Sequence, residues 1–146
     1  MLGPAGLSPI APATAGSALV TATAWFTPVP QLPVFCACLA LGTAIAVWAA
    51  GEAEKDLGHD AGPIVIDEAI GQTISLMFVP HRLLAFVAAF FLFRLFDTWK
   101  PLGAREAQVL PSGFGIVADD VIAGITTMLA MRGLLWAQGR MGWGLI

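Results

Sequence analysis

The chain has 146 residues, 58% of them hydrophobic and only 12% charged, with a net charge of −3. Soluble domains usually carry about 25% charged residues, so a mean hydropathy of +0.81 leaves too few charges to cover a water-facing surface and points to a membrane as solvent. The length suits a single domain over residues 1–146, and no basic stretch invites nucleic acid.

Met1 to Ala13 is rich in Gly and Pro and reads as a loop. No Lys or Arg occurs before Ser17, so a secretory signal with a basic start is not expected. Thr14 to Phe26 is apolar with small residues and suits a short helix. Pro28, Pro30 and Pro33 then make a stiff turn. Pro33 to Ala50 is an uncharged apolar run whose roughly 18 residues cover about 27 Å as a helix, close to a thin bilayer core. Cys36 and Cys38 lie two apart on it and point to different faces, which suits packing better than a disulfide or metal pair.

Gly51 to Gly62 is the one strongly polar loop, with Glu52, Glu54, Lys55, Asp56, His59 and Asp60. Gly62-Pro63 opens a helix running to about Val79, since proline suits the first helical position. Pro80 stops it, and His81 and Arg82 make a tight turn. Leu83 to Lys100 is the next helix, ended by Pro101. Leu102 to Gly115 reads as a loop, Ile116 to about Ala137 as a last helix, and 139–146 as a tail. The expected fold is therefore all-α: a small membrane bundle of about five antiparallel helices.

Short loops force the helices to alternate in direction. Alternation alone places Asp60, Asp67, Glu68, Arg94, Asp97, Lys100, Asp119 and Asp120 at one end of the bundle, with Thr14 to Ser17 nearby. His81, Arg82 and Arg140 fall at the other end. A weak internal echo supports the pattern. Ile64 to Gly71 and Ile116 to Gly124 both put adjacent acids near a helix start with a glycine soon after.

Asp67-Glu68 and Asp119-Asp120 each sit about one turn inside an apolar helix, where ionisable groups usually face a bundle interior or polar cavity. Their packing together would need a cation, and hard carboxylate oxygens suit Mg²⁺. The competing reading is that they cap helix N-termini. Gly71 follows Asp67 by four and Gly124 follows Asp120 by four, so each glycine shares a face with an acid and permits close helix approach. Arg94 and Asp97 share a face, with Lys100 three further on. They form either a structural ion pair or a phosphate-binding pair in which Asp97 joins the metal or activates water. His59 is either an exposed histidine or a general acid. The tryptophans suit interfacial or packing positions.

Ile64 to Gly71, Phe93 to Pro101 and Gly113 to Gly124 resemble the signature blocks of bacterial phosphatidylglycerophosphatase A. Gly6 to Ser17 resembles that family's amino-terminal Gly/Pro-rich block, with Ala13 where glycine is usual, and Asp60-Ala61-Gly62 also matches. The resemblance implies Mg²⁺-dependent hydrolysis of phosphatidylglycerophosphate to phosphatidylglycerol and phosphate, in phospholipid biosynthesis. It also implies a multi-pass protein of the bacterial inner membrane whose active end faces the cytoplasm. Under it, Asp67, Glu68, Asp119 and Asp120 would hold the metal, and Arg94 and Lys100 would neutralise phosphate near Thr14 and Ser17. Asp97 or Asp60 would ligate metal or assist water, beside Asp67 and Asp120 as catalytic groups. Phosphatidyl transfer and a non-enzymatic ion-binding module are the alternatives. The first lacks its Asp-Gly…Ala-Arg signature here, and the second predicts polar residues at helix midpoints.

Overall fold

The computed structural model describes residues 12–27, 31–57, 66–99 and 113–142. These form five helices, α1 (Pro12–Phe26), α2 (Leu32–Leu57), α3 (Ile66–Ser75), α4 (Leu83–Trp99) and α5 (Gly113–Met141), with no strand among the described residues. The all-α expectation holds.

Two helices are long and apolar enough to cross a bilayer, through Leu32–Ala49 of α2 and Val117–Met141 of α5. Only 6% and 28% of these stretches are buried within the protein, so neither is the core helix of a soluble domain. Leu41, Trp48, Leu129 and Trp136 stand exposed on them. Such exposed apolar surfaces suit an apolar surrounding.

Several boundaries differ from the sequence reading, and α1 already begins at Pro12, inside the expected Gly/Pro-rich loop. α2 does not stop at Ala50 but continues through the first half of the expected polar loop to Leu57. Its last turns hold helix-forming Ala, Glu, Lys and Leu, and Lys55 donates to Glu52 at 2.6 Å across three residues. α5 begins at Gly113, inside the expected loop, and runs on to Met141. α3 ends at Ser75 and gives way to a turn over residues 76–78, short of Val79. In that turn Phe78 takes a φ of 63°, a left-handed conformation costly for a bulky residue. The Arg132 guanidinium lies 5.3 Å from its ring centroid and helps hold it.

α5 is the central post. It packs most extensively against α3 and also contacts α2 and α4, while α1 leans on α3 and α4. Ala46 and Val117 form one core with Ile66, Ile70 and Val121, so the end of α2 meets the starts of α3 and α5. Ala85, Ala89 and Met131 form a second core with Leu76 and Val79, so the start of α4 meets the turn that follows α3 and the far half of α5. These two cores fix the alternation: α3 and α5 run the same way, and α2 and α4 run against them. At the far end His81 stacks on Trp25 with ring centroids 4.2 Å apart, joining α1 to the start of α4.

Between α3 and α5 the backbones touch. A Cβ on Gly71 would lie 2.5 Å from the Asp120 carbonyl oxygen and 2.6 Å from the Phe93 ring. A Cβ on Gly124 would collide with the Gly71 carbonyl. Glycine at both positions is what brings the two acid-bearing helices into contact.

Candidate active site

The close α3–α5 approach draws the acidic pairs together. Asp67, Glu68 and Asp120 are all buried, and one carboxylate oxygen from each lies within 4.8 Å of the other two. The two pairs share local geometry: Asp67 Oδ1 accepts from the Glu68 N–H at 3.0 Å, and Asp119 Oδ1 accepts from the Asp120 N–H at 3.0 Å. Asp119 is buried as well but lies outside the three-carboxylate group.

Helix capping does not explain all of these acids. Asp67 and Glu68 lie in the first described turn of α3, where the dipole favours them. The first turn of α5 has no acid, because that helix starts earlier than its sequence suggested. Asp119 and Asp120 therefore sit beyond the reach of the terminal dipole, which fades within one turn.

α4 completes the constellation. Arg94 Nη1 lies 2.8 Å from Asp97 Oδ2, with both side chains largely buried. The Arg94 N–H groups do not line up on that oxygen, and Nη1 is left without a hydrogen-bond partner. The Asp97 carboxylate also neighbours those of Asp120 and Glu68 closely enough to act on their charge. Asp97 thus lies between the guanidinium and the three-carboxylate group. Thr14 and Ser17 both lie within helix α1, as the apolar run from Thr14 suggests. Ser17 is fully buried and its Oγ donates to the Ala13 carbonyl at 3.1 Å, so its proton is committed to the backbone. Asp60, His59 and Lys100 lie outside the described residues.

Two unit charges 4.8 Å apart repel by about 3.5 kcal/mol at an effective dielectric constant of about 20. Three buried carboxylates at that spacing need protons or a cation. The donor set is all oxygen, which suits a hard divalent ion, and Glu68 Oε2 is buried with no partner. The cluster fits a metal ion on both counts. An apolar cavity of about 340 Å³ lies at the opposite end of the bundle, among Val20, Ala24, Phe35, Leu76 and Phe86. No acid lines it.

Sequence reasoning passed over Gln72. It is fully buried on α3, and neither its amide oxygen nor its amide nitrogen has a partner. Burying an amide without hydrogen bonds costs about 1–3 kcal/mol on protein mutational scales. The available signal was a lone amide in an apolar helix, four residues after Glu68.

The family model for phosphatidylglycerophosphatase A matches residues 1–135. A phosphatidylglycerophosphatase A of Escherichia coli (strain K12) is 39% identical over 141 residues, covering 92% of this chain and 81% of the relative. One of Haemophilus influenzae is 43% identical over 79 residues, covering 52% of this chain and 48% of the relative. A Bacteroides thetaiotaomicron protein, provisionally named a phosphatidylinositol-3-phosphatase, is 36% identical over 143 residues, covering 92% of this chain and 89% of its own. No solved structure matches significantly.

Proposed function

Because the chain belongs to the phosphatidylglycerophosphatase A family and is a phosphoric monoester hydrolase, we propose that it hydrolyses phosphatidylglycerophosphate with Mg²⁺ at the buried carboxylate cluster. The observation that carries the reading is the meeting of Asp67, Glu68 and Asp120 within 4.8 Å beside Arg94. Carboxylates alone would repel a phosphate, so a cation must mediate between the two.

Asp67, Glu68 and Asp120 hold the metal, with Asp119 fixing the backbone beneath Asp120. When bound, Mg²⁺ offsets the charge of the phosphoryl oxygens and of the departing headgroup alkoxide. Arg94, ion-paired to Asp97, turns its guanidinium to a phosphate oxygen. Asp97 orients Arg94 and accepts a proton from the attacking water. The water oxygen bonds to phosphorus, the phosphorus–oxygen bond to the headgroup breaks, and a proton ends on the released alcohol. Lys100 and Asp60 complete the phosphate site, and Thr14 lines its approach. The acidic end faces the cytoplasm of the bacterial inner membrane, where headgroup chemistry has water.

The provisional name of the Bacteroides relative favours one second substrate, a phosphatidylinositol monophosphate, which is also a phosphomonoester on a lipid polyol. Purified protein in mixed micelles, assayed for phosphate release from each lipid with and without Mg²⁺, decides between them. Faster Mg²⁺-dependent release from phosphatidylglycerophosphate is expected. No release from it, or equal release in excess chelator, would overturn the proposal.

A further inference from the structure

We propose that Gln72 is a specificity-determining residue that recognises the headgroup hydroxyl next to the scissile phosphate. The inference rests on the lipid-phosphatase reading and adds to it the group on the substrate that the site selects. Among the described residues, the buried side-chain atoms without a hydrogen-bond partner belong to only three residues: Glu68, Gln72 and Arg94. Glu68 and Arg94 lie at the carboxylate cluster. Gln72 follows Glu68 by four residues and so shares its helix face, about 6 Å further along the axis.

The chemistry of the three vacant sets is complementary to one kind of molecule. Glu68 Oε2 is an acceptor suited to a cation, and the Arg94 guanidinium, though ion-paired to Asp97, lacks a full hydrogen bond at Nη1 and can donate to a phosphate oxygen. The Gln72 amide offers one acceptor and two donor hydrogens at one point, the pattern that an alcohol hydroxyl satisfies by donating and accepting together. The order along α3 also matches. A phosphomonoester lipid entering from the acidic end carries its terminal phosphate outermost. The hydroxyl-bearing carbons of its headgroup come next, one turn further along α3 from Glu68, at the level of Gln72. Phosphatidic acid, whose phosphate is attached directly to diacylglycerol, presents no such hydroxyl.

A site built to hydrogen-bond a hydroxyl rejects the analogue lacking it, because its buried polar groups are then left unpaired. The test compares phosphatidylglycerophosphate with the analogue whose headgroup glycerol is replaced by 1,3-propanediol, in wild type, Gln72→Met and Gln72→Leu. Wild-type kcat/KM should favour the hydroxyl-bearing lipid by at least about tenfold. Gln72→Met should lose that preference, with the loss falling on the natural lipid and the analogue's kcat/KM within about twofold of wild type. Its melting temperature should not fall, since methionine fills a similar volume and removes an unpartnered amide. Equal wild-type rates on both lipids would overturn the proposal. So would a Gln72→Met protein that loses both activities equally, or that melts lower with its preference intact, since the amide would then be satisfied by a structural water. Wild type inert on both lipids would instead overturn the lipid-phosphatase reading itself. Should the methionine variant not fold, the leucine variant and the wild-type comparison still decide.

Discussion

Gly124 and Gly71 touch backbone to backbone: a single methyl group on Gly124 would occupy the space of the Gly71 carbonyl. The acids at 67, 68 and 120 meet because these two residues have no side chains. Gly124→Ala should therefore pry α3 from α5, lowering stability by about 1–3 kcal/mol, the usual cost of overpacking, and reducing turnover with it. Gly133, in the same helix with nothing within 4 Å of its would-be Cβ, is the control. Gly133→Ala should change stability by less than about 1 kcal/mol. Detergent-solubilised melting curves of the two variants check this, and equal effects would show that the seam is not tight.

Asp67→Asn and Asp120→Asn should each cut turnover by at least about a hundredfold, the range for losing a charge-stabilising group at a reacting centre. Both proteins should remain folded, because each substitution removes one charge from a mutually repelling set. Phosphate-release rates at matched folded yield are the measurement. Near-normal rates in either variant would return these acids to a structural role.

Metal binding should be visible without turnover. A ligand that binds only the folded state raises its stability with concentration, so Mg²⁺ should raise the wild-type melting temperature and excess chelator should reverse the gain. In Glu68→Gln the Mg²⁺-dependent rise should shrink or vanish. A rise of the same size in both proteins would place the ion elsewhere.

Arg94→Ala should lose most activity, while Arg132→Ala keeps it. Both remove a guanidinium from an apolar helix, but Arg94 lies beside Asp97 at the acidic end and Arg132 lies over Phe78 at the other. Arg94→Lys should restore only part of the rate, since a point charge cannot reproduce a two-pronged contact. The rates of the three variants, compared at equal folded yield, settle it. Equal losses in the two alanine variants would mean that the site is not confined to one end.

Much of this arrangement was legible from the chain's punctuation. Prolines at 28, 33, 80 and 101 divide the apolar runs into helices, and direction reversal then brings Asp67, Arg94, Asp97 and Asp120 to one end. The boundaries at 50–57 and 113–116 were not legible, because polarity suggests a loop while helix propensity and the Glu52–Lys55 pair extend a helix. Glycine spacing indicated a close seam, but not that Gly71 would rest on the Asp120 carbonyl, which depends on the rotation of α5. Ser17 reads as a polar group available to substrate until its hydroxyl is seen turned onto Ala13. The sequence shows Gln72 only as a lone amide four residues after Glu68; that both its amide atoms lack partners depends on its surroundings.

The shortness of α3 bears on the bilayer itself. α2 and α5 extend about 39 Å and 44 Å, whereas the described part of α3, Ile66–Ser75, has ten residues and extends about 15 Å. From Asp120 to Arg132 the rise along α5 is about 18 Å, well under the roughly 30 Å of an ordinary hydrocarbon slab. Charged groups at both levels draw water and headgroups inward, so the protein is expected to dimple the membrane around α3. Hydrophobic mismatch would then tune catalysis: vesicles of short-chain lipid should support faster turnover than long-chain vesicles at equal substrate density. Turnover indifferent to chain length would mean that the lipid climbs to the site without the leaflet bending to meet it.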